Sequence, residues 1–240
     1  MHTVHIDREW GNTMFGMVEN YSQMLNRIAI FTGITTFILA LILTETTPLF
    51  QDLLIKFKDV QIEIMDTKVS IVHAVIAFLA LLISRIFKLH NIISDILKIR
   101  HKFDVQYILM PIAGEVGFAL NETKIKNMNI KRKELMVQVF YKYASSTNPQ
   151  IDKHLINKAL DSWSWFWVLV ESFFFALISL ILFIQYSAPA TSFVAIALLL
   201  DIFFCYLLYG KLKKAASNEI RAILALPGAD ADIRVFLNAL

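Results

Sequence analysis

Apolar residues fall in long runs separated by polar segments, a pattern typical of a helical membrane protein. A helix needs about 20 mostly apolar residues to cross the bilayer core. Four stretches reach or nearly reach this length: 24–43, 69–87, 165–186 and 191–210. The last two are separated only by a tight turn at 187–190. We therefore expect four transmembrane helices, the last two forming a hairpin.

Composition excludes an ordinary soluble domain. Apolar and aromatic residues make up 57% of the 240 residues, and charged residues only 18%. A soluble domain carries about 25% charged residues. The single cysteine, Cys205, excludes an intramolecular disulfide framework. A cleaved signal peptide is not expected, because Asp7, Glu9 and Glu19 precede the first apolar run in place of a short basic leader.

The distribution of lysine and arginine predicts the orientation of the chain. Of 23 such residues, only Lys56, Lys58 and Lys68 lie in the loop 45–68. The other 20 lie before the first run, around the segment 88–164, or after the last run. Cytoplasmic loops of membrane proteins carry the excess of positive charge. We therefore expect both termini on the cytoplasmic side of the cell (inner) membrane.

The predicted fold is an all-α membrane protein with a helical cytoplasmic domain between the second and third spans. The expected segments are a cytoplasmic interfacial helix at 1–23, a transmembrane hairpin at 24–87, the cytoplasmic domain at 88–164, a second transmembrane hairpin at 165–210 and a basic cytoplasmic tail at 211–240. In the tail, Lys211, Lys213 and Lys214 follow the last span directly. They either face anionic lipid headgroups or only set the topology.

The outer loop alternates apolar and polar residues. Ile55, Phe57, Val60, Ile62 and Ile64 are separated by polar residues, in part with a period of two. This period favours a short strand or hairpin, and the alternative is an irregular amphipathic cap. An isolated strand pair is marginally stable. A small outer β-cap would therefore pack on a neighbouring subunit or on the membrane surface.

The second span is predicted to continue as a cytoplasmic helix. Residues at alternating spacings of three and four follow it: Ile86, Leu89, Ile93, Ile96, Arg100 and Phe103. This spacing is typical of a coiled-coil seam. We take Arg100, Ile93, Ile96 and Phe103 as candidates for a partner or subunit interface. The alternative is an amphipathic helix that packs on the cytoplasmic domain.

Two acidic residues lie within the predicted spans. Charged side chains are costly there and are candidate functional residues. At about 1.5 Å per residue, Glu171 and Asp201 differ in depth by roughly 7–8 Å, so they are not expected to pair. Glu171 lies at the level of Arg27 and Arg85, which predicts an ion pair or a side chain that reaches the interface.

Asp201 lies near the membrane midplane, where no predicted span offers a cation. It is expected to be protonated and hydrogen-bonded across a helix interface, or to line a wet pore in an oligomer. His73, near the outer end of the second span, is the candidate polar neighbour. The intramembrane polar residues of interest are therefore Asp201, Glu171 and His73.

Enzyme motifs are absent from the sequence. It contains no HExxH, Gly-x-Ser-x-Gly, Walker or Gly-x-Gly-x-x-Gly motif. Arg85 and His90 match the loose Arg-x4-His pattern of HEPN-type ribonucleases. Five residues turn a helix by about 500°, which places the two side chains on different faces. We expect no catalytic site, no metal, no cofactor and no nucleic-acid partner.

The layout of the chain resembles that of known small membrane proteins. Four spans, both termini inside and a compact basic inner domain are similar to the Kiwa membrane component and to multi-span effectors of cyclic-oligonucleotide systems. These are four-span subunits of bacterial anti-phage systems. The stretches 100–117 and 140–167 have the character of specific signatures but match no motif of those systems. The resemblance therefore transfers no functional residue.

These observations favour an oligomeric membrane sensor or effector of a bacterial defence or stress system. Its expected partners are membrane lipids, further copies of the chain, and a cytosolic protein at residues 86–164. The alternative is a channel or proton-coupled transporter subunit, with Asp201 and Glu171 on its path.

Overall fold

The computed structural model describes residues 15–57, 60–64 and 67–238. Residues 1–14, most of the interfacial helix predicted for 1–23, lie outside the described residues. The described chain is largely helical, as the sequence predicts.

Eleven α-helices, two strands and two π-helical segments make up the described chain. In order they are α1 (Tyr21–Thr46), α2 (Pro48–Lys56), β1 (Gln61–Ile64), β2 (Thr67–Ser70), α3 (Ile71–Phe87), α4 (Leu89–Leu97), α5 (Ile99–Phe103), the first π segment (Asp104–Leu109), α6 (Met110–Glu115), α7 (Glu122–Ile130), α8 (Arg132–Leu135), the second π segment (Met136–Tyr141), α9 (Lys153–Tyr186), α10 (Ala188–Leu224) and α11 (Ala229–Asn238).

Three helices, α1, α9 and α10, are long and apolar enough to cross a membrane. Helices α3 and α4 meet the same criterion only together, and they are bent by 63° at the break between them. The described chain therefore holds three candidate spans, or four if the bent pair counts as one.

The segment between α1 and α3, predicted to be the outer loop, contains a helix followed by a strand pair. Strands β1 and β2 pair antiparallel, with Gln61 opposite Ser70 and Ile64 opposite Thr67. The alternation that begins at Ile55 does not mark a strand there, because α2 starts at Pro48 and includes Ile55. Proline is favoured at the first position of a helix, where its missing N–H costs nothing.

Contacts divide the chain into two compact units. The first contains Leu25–His90 and Ser164–Leu208, and the second contains Phe15–Met24, Asn91–Trp163 and Tyr209–Leu240. The core of the first unit is apolar and draws on α1, α9 and α10. Its buried members are Leu39, Leu43, Ala176, Phe183, Ala190, Val194 and Leu198.

The second unit has its own core around the two π segments, which contact each other. Its largest fully buried side chains are Phe103, Leu109, Ile112, Met128, Met136, Leu212, Ile223 and Ile233. Short π-helical stretches inside α-helices frequently occur at functional sites.

The continuous helix expected over residues 86–103 is interrupted twice. Lys88 and Lys98 adopt left-handed conformations, with φ of 50° and 54°. The first break ends α3 with the Lys88 N–H donating to the Ser84 carbonyl. Left-handed residues commonly terminate helices. The prediction of one uninterrupted helix is therefore wrong, and two short helices, α4 and α5, follow α3 in its place.

The breaks separate the residues of the predicted seam. Ile93 and Phe103 are buried within the chain, whereas Ile96 is 72% exposed. The Phe103 ring packs edge-on against Trp163, with ring centroids 4.9 Å apart. The Arg100 backbone N–H donates to Ser94, and its side chain is half-buried. Ile96 and Ile86 are thus the seam residues whose apolar side chains face outward.

The left-handed turn at Lys98 predicts an unusual response to glycine. A non-glycine residue in this conformation costs about 1–2 kcal/mol, which glycine avoids. We expect Lys98→Gly to raise the free energy of unfolding by about 0.5–1 kcal/mol. Lys102→Gly, in the exposed right-handed turn of α5, should lower it by about 1 kcal/mol. Denaturant unfolding of the purified protein measures the free energy of unfolding of both variants. Equal decreases for the two would contradict the left-handed turn at Lys98.

Candidate functional site

The carboxylate of Glu171 is the most extensively hydrogen-bonded acid in the first unit. It is fully buried in the apolar part of α9. The hydroxyls of Thr32 in α1 and Ser84 in α3 donate to one oxygen at 2.7 and 2.6 Å. The backbone N–H of His90 in α4 donates to the other at 2.8 Å. One side chain therefore joins four helices.

The break at Lys88 explains why a backbone N–H is available to Glu171. The first N–H groups of a helix have no carbonyl four residues earlier to bond. Helix α4 starts at Leu89 and is preceded by lysine rather than by a residue that caps helices. The Glu171 carboxylate takes the place of the cap for His90, and negative charge is favoured at this end of a helix.

The imidazole of His90 lies beside the same carboxylate. The ring is fully buried, with Nδ1 3.5 Å from Glu171 Oε1, and it packs against Trp167 at 5.8 Å between centroids. Arg85 donates instead to Asn26 at 3.0 Å. Arg85 and His90 therefore have different partners. This agrees with the helical spacing, which predicts that they lie on different faces.

Arg27 is also fully buried, but it is not the partner of Glu171. Its guanidinium donates to Ser164 at 2.8 Å and lies 4.9 Å from the centre of the Trp165 ring. The ion pair expected between Glu171 and Arg27 or Arg85 is absent from the described residues. Two hydroxyls and a helix N-terminus supply the hydrogen bonds instead.

His73 has polar neighbours other than Asp201. Its Nε2 lies 2.8 Å from the Thr44 hydroxyl, and its Nδ1 lies 3.2 Å from the Ser70 carbonyl. The ring packs against Phe37. Both ring nitrogens are therefore engaged at the start of α3, by Thr44 and Ser70.

Asp201 is half-buried in α10, and none of the described residues donates a hydrogen bond to it. Only 11% of the most apolar stretch of α10 is buried within the chain, against 50% in α1 and 44% in α9. The exposed large side chains that surround Asp201 along the helix are Leu199, Leu200, Ile202, Phe203 and Phe204. This acid lies on the least covered candidate span.

The lysines after the last apolar run have different environments. Lys211 and Lys214 are exposed. The ammonium group of Lys213 lies 4.5 Å from the centre of the Tyr107 ring and 4.8 Å from that of Tyr209. Lys213 therefore contacts aromatic rings of its own unit.

A second buried acid lies in the second unit. Asp104 begins the first π segment and forms an ion pair with Arg132 at the start of α8. Burial raises the pKa of Asp104 to about 6, although the positive charges of Arg132 and Arg100 act to lower it. Desolvation of the carboxylate therefore outweighs its pairing.

Sequence reasoning identified Glu171 but missed its donors. Thr32 and Ser84 were available as polar residues inside apolar runs, and such residues commonly bond across helices. The contribution of His90 depends on the break at Lys88, which no glycine or proline marks. The Asp104–Arg132 pair, 28 residues apart in the chain, carries no local signal at all.

The fold and the site define a polytopic helical protein with three or four candidate membrane spans and a carboxylate-centred polar cluster among them. The chain belongs to the YmfE protein family, whose model matches residues 20–239. Neither the curated proteins nor the solved structures include a significant match to it.

Loss of the Glu171 carboxylate should destabilise the first unit. In Glu171→Leu the Thr32 and Ser84 hydroxyls can turn to carbonyls of their own helices, but the His90 N–H cannot move. An unpaired buried donor costs about 1–3 kcal/mol. We expect a clear drop in melting temperature, which tryptophan fluorescence of the protein in detergent measures.

Ser172→Ala is the matched control on the neighbouring position. Its hydroxyl lies 2.9 Å from that of Thr35. When Ser172 is replaced, the Thr35 hydroxyl can donate to a carbonyl of its own helix instead. The control should lose less than about 1 kcal/mol. Equal melting temperatures for Glu171→Leu and Ser172→Ala would contradict the role given to Glu171.

The pKa of Asp104 predicts a pH dependence. Because burial raises this pKa from 3.8 to about 6, the folded protein binds the proton more tightly than the unfolded chain. The stability from this group is fully present below about pH 4 and is lost as the pH rises through about 6. Asp104→Asn removes this loss, so its melting temperature should fall less than that of the wild type over this range.

The control for this measurement is Glu134→Gln, which changes an exposed acid in α8. Its pH profile should parallel that of the wild type. A wild-type profile parallel to that of Asp104→Asn would show that Asp104 does not titrate in this range.

Proposed function

We propose that this chain is one subunit of a homo-oligomeric, four-span membrane protein that acts as a sensor or effector. The observation that carries the proposal is the position of Asp201. This acid lies in the middle of an apolar run of α10, half-exposed and without a hydrogen-bond donor among the described residues.

An aspartate at this position is costly in a monomer. Placing one at the centre of a membrane helix costs about 2.5–3.5 kcal/mol on insertion scales. A neighbouring subunit can supply a hydrogen-bond partner or a water-lined surface for it. The large uncovered area of α10 offers the apolar contact that such packing requires.

The charge distribution supports four spans with both termini in the cytoplasm of the inner membrane. Taking α3 as the second span, with α4 turned away from it by the 63° bend, only three lysines and no arginine lie in the two outer connections. This agrees with the positive-inside rule. Residues 88–164 then form the cytoplasmic domain and offer the surface for a cytosolic protein partner.

A signalling role rather than a catalytic one fits the arrangement of helices. Helices α1, α9 and α10 each contribute residues to both units. A change in one unit can therefore reach the other through these shared helices. The proposal that the protein acts in a bacterial stress or defence system rests only on the layout of its spans and inner domain.

The oligomeric state tests this proposal. We expect particles larger than one subunit when the protein is extracted in mild detergent and its mass is measured by light scattering. Asp201→Leu should weaken assembly by a few-fold to about tenfold, because it removes a hydrogen bond between helices. Ser192→Leu is the control, since the Ser192 hydroxyl already bonds a carbonyl of α10. A strictly monomeric wild type would overturn the proposal.

A second measurement separates this function from that of a channel or proton-coupled transporter. The chain is expressed alone in a bacterium while a dye reports the membrane potential. A sensor that awaits a partner should leave the potential unchanged. Depolarisation that Asp201→Asn abolishes without reducing expression would instead assign Asp201 to an ion path.

A further inference from the structure

Helix α4 has an exposed apolar face. Ile92 and Ile96 are exposed and lie one helical turn apart, so they point the same way, with exposed Asp95 beside them. Ile93 and Ser94 are buried, and Leu97, one turn after Ile93, is exposed at the end of the helix. The outward side of the helix therefore carries two isoleucines and one acid, and its inward side is already packed.

The preceding helix also exposes apolar side chains. Ile83, Ile86 and Phe87, in the last turns of α3, are also exposed. At Lys88 the chain then turns by 63°. If α3 crosses the bilayer, this bend directs α4 away from the membrane normal and toward the membrane plane.

Basic residues bracket the face. Lys88 and Lys98, at the two breaks, are exposed on either side of α4, and exposed Lys102 follows. Asp95 is the one acid within the helix. Short amphipathic helices with lysines beside an apolar face bind at the boundary between headgroups and acyl chains, aided by anionic lipid. The charge of this rim complements anionic headgroups.

We propose that α4 is an interfacial anchor that binds anionic phospholipid, with Ile92, Ile96 and Leu97 inserted at the acyl boundary of the cytoplasmic leaflet. This proposal rests on the function proposed above only in requiring that α3 cross the membrane. The hydrogen bond from the His90 N–H to Glu171 holds the first turn of α4. The anchor is therefore fixed at its start by the buried carboxylate.

Lipid quenching of a fluorescent label tests the anchor in the full chain. In a Cys205→Ser background, single cysteines replace Ile96 in α4, Phe78 in α3 or Thr147 in an exposed loop. Each variant carries an environment-sensitive dye in nanodiscs of equal phosphatidylcholine and phosphatidylglycerol. The phosphatidylcholine is brominated either near the headgroup end or near the centre of its acyl chains.

We expect quenching at position 96 to be about twofold stronger with bromine near the headgroup end, because interfacial helices insert only about 5–10 Å. Position 78 should be quenched by bromine near the chain centre, and position 147 by neither. Lys88→Gln with Lys98→Gln should reduce the quenching at 96 in these discs but not in discs of phosphatidylcholine alone.

The three positions separate the ways in which the proposal can fail. Quenching at 78 without quenching at 96 would overturn the anchor while leaving the span intact. Absence of quenching at 78 would overturn the span itself and hence the proposed topology. Self-quenching between labels at 96 in place of lipid quenching would mean that a second copy covers the face, which also overturns the anchor.

Discussion

The hydrogen bonds to the Glu171 carboxylate are the constraint on which the first unit depends. Two hydroxyls and one backbone N–H from three other helices converge on its oxygens. A buried carboxylate without such donors is strongly unfavourable, because burial removes its hydration. The requirement works in both directions, since the N–H at the start of α4 also needs an acceptor. The acid and the helix start after the break at Lys88 therefore satisfy each other's hydrogen-bonding groups.

Glu171 and Asp201, the acids in the apolar runs of α9 and α10, show what satisfies a buried carboxyl group. Glu171 lies among helices of its own chain and draws every hydrogen bond from them. Asp201 lies on the least covered helix, and none of the described residues donates to it. The carboxyl group of Glu171 therefore has hydrogen-bond donors within the chain, whereas that of Asp201 has none among the described residues. This difference is the reason for placing the proposed subunit contact on α10.

The sequence predicts the helical class, the apolar runs and the exceptional status of both acids, because these follow from hydrophobicity and the cost of buried charge. It does not predict the breaks at Lys88 and Lys98. Lysine is a good helix former, and neither glycine nor proline marks either position. Tertiary bonding overrides this local preference: the acceptor for the His90 N–H lies 81 residues further along the chain. The seam predicted from spacing fails for the same reason.

The break has a consequence for the surface of the molecule as well as for its interior. A straight continuation of α3 would extend one helical face, with Ile86, Ile93 and Ile96 on a single seam. The left-handed turn changes the direction of the chain after Ile86 and so separates it from Ile93 and Ile96, which stay together on α4 with Ile93 buried and Ile96 exposed. The carboxylate that caps α4 thereby also decides which apolar side chains face outward beside Lys88 and Lys98. A polar interaction inside the unit thus sets the apolar surface that the chain offers to its surroundings.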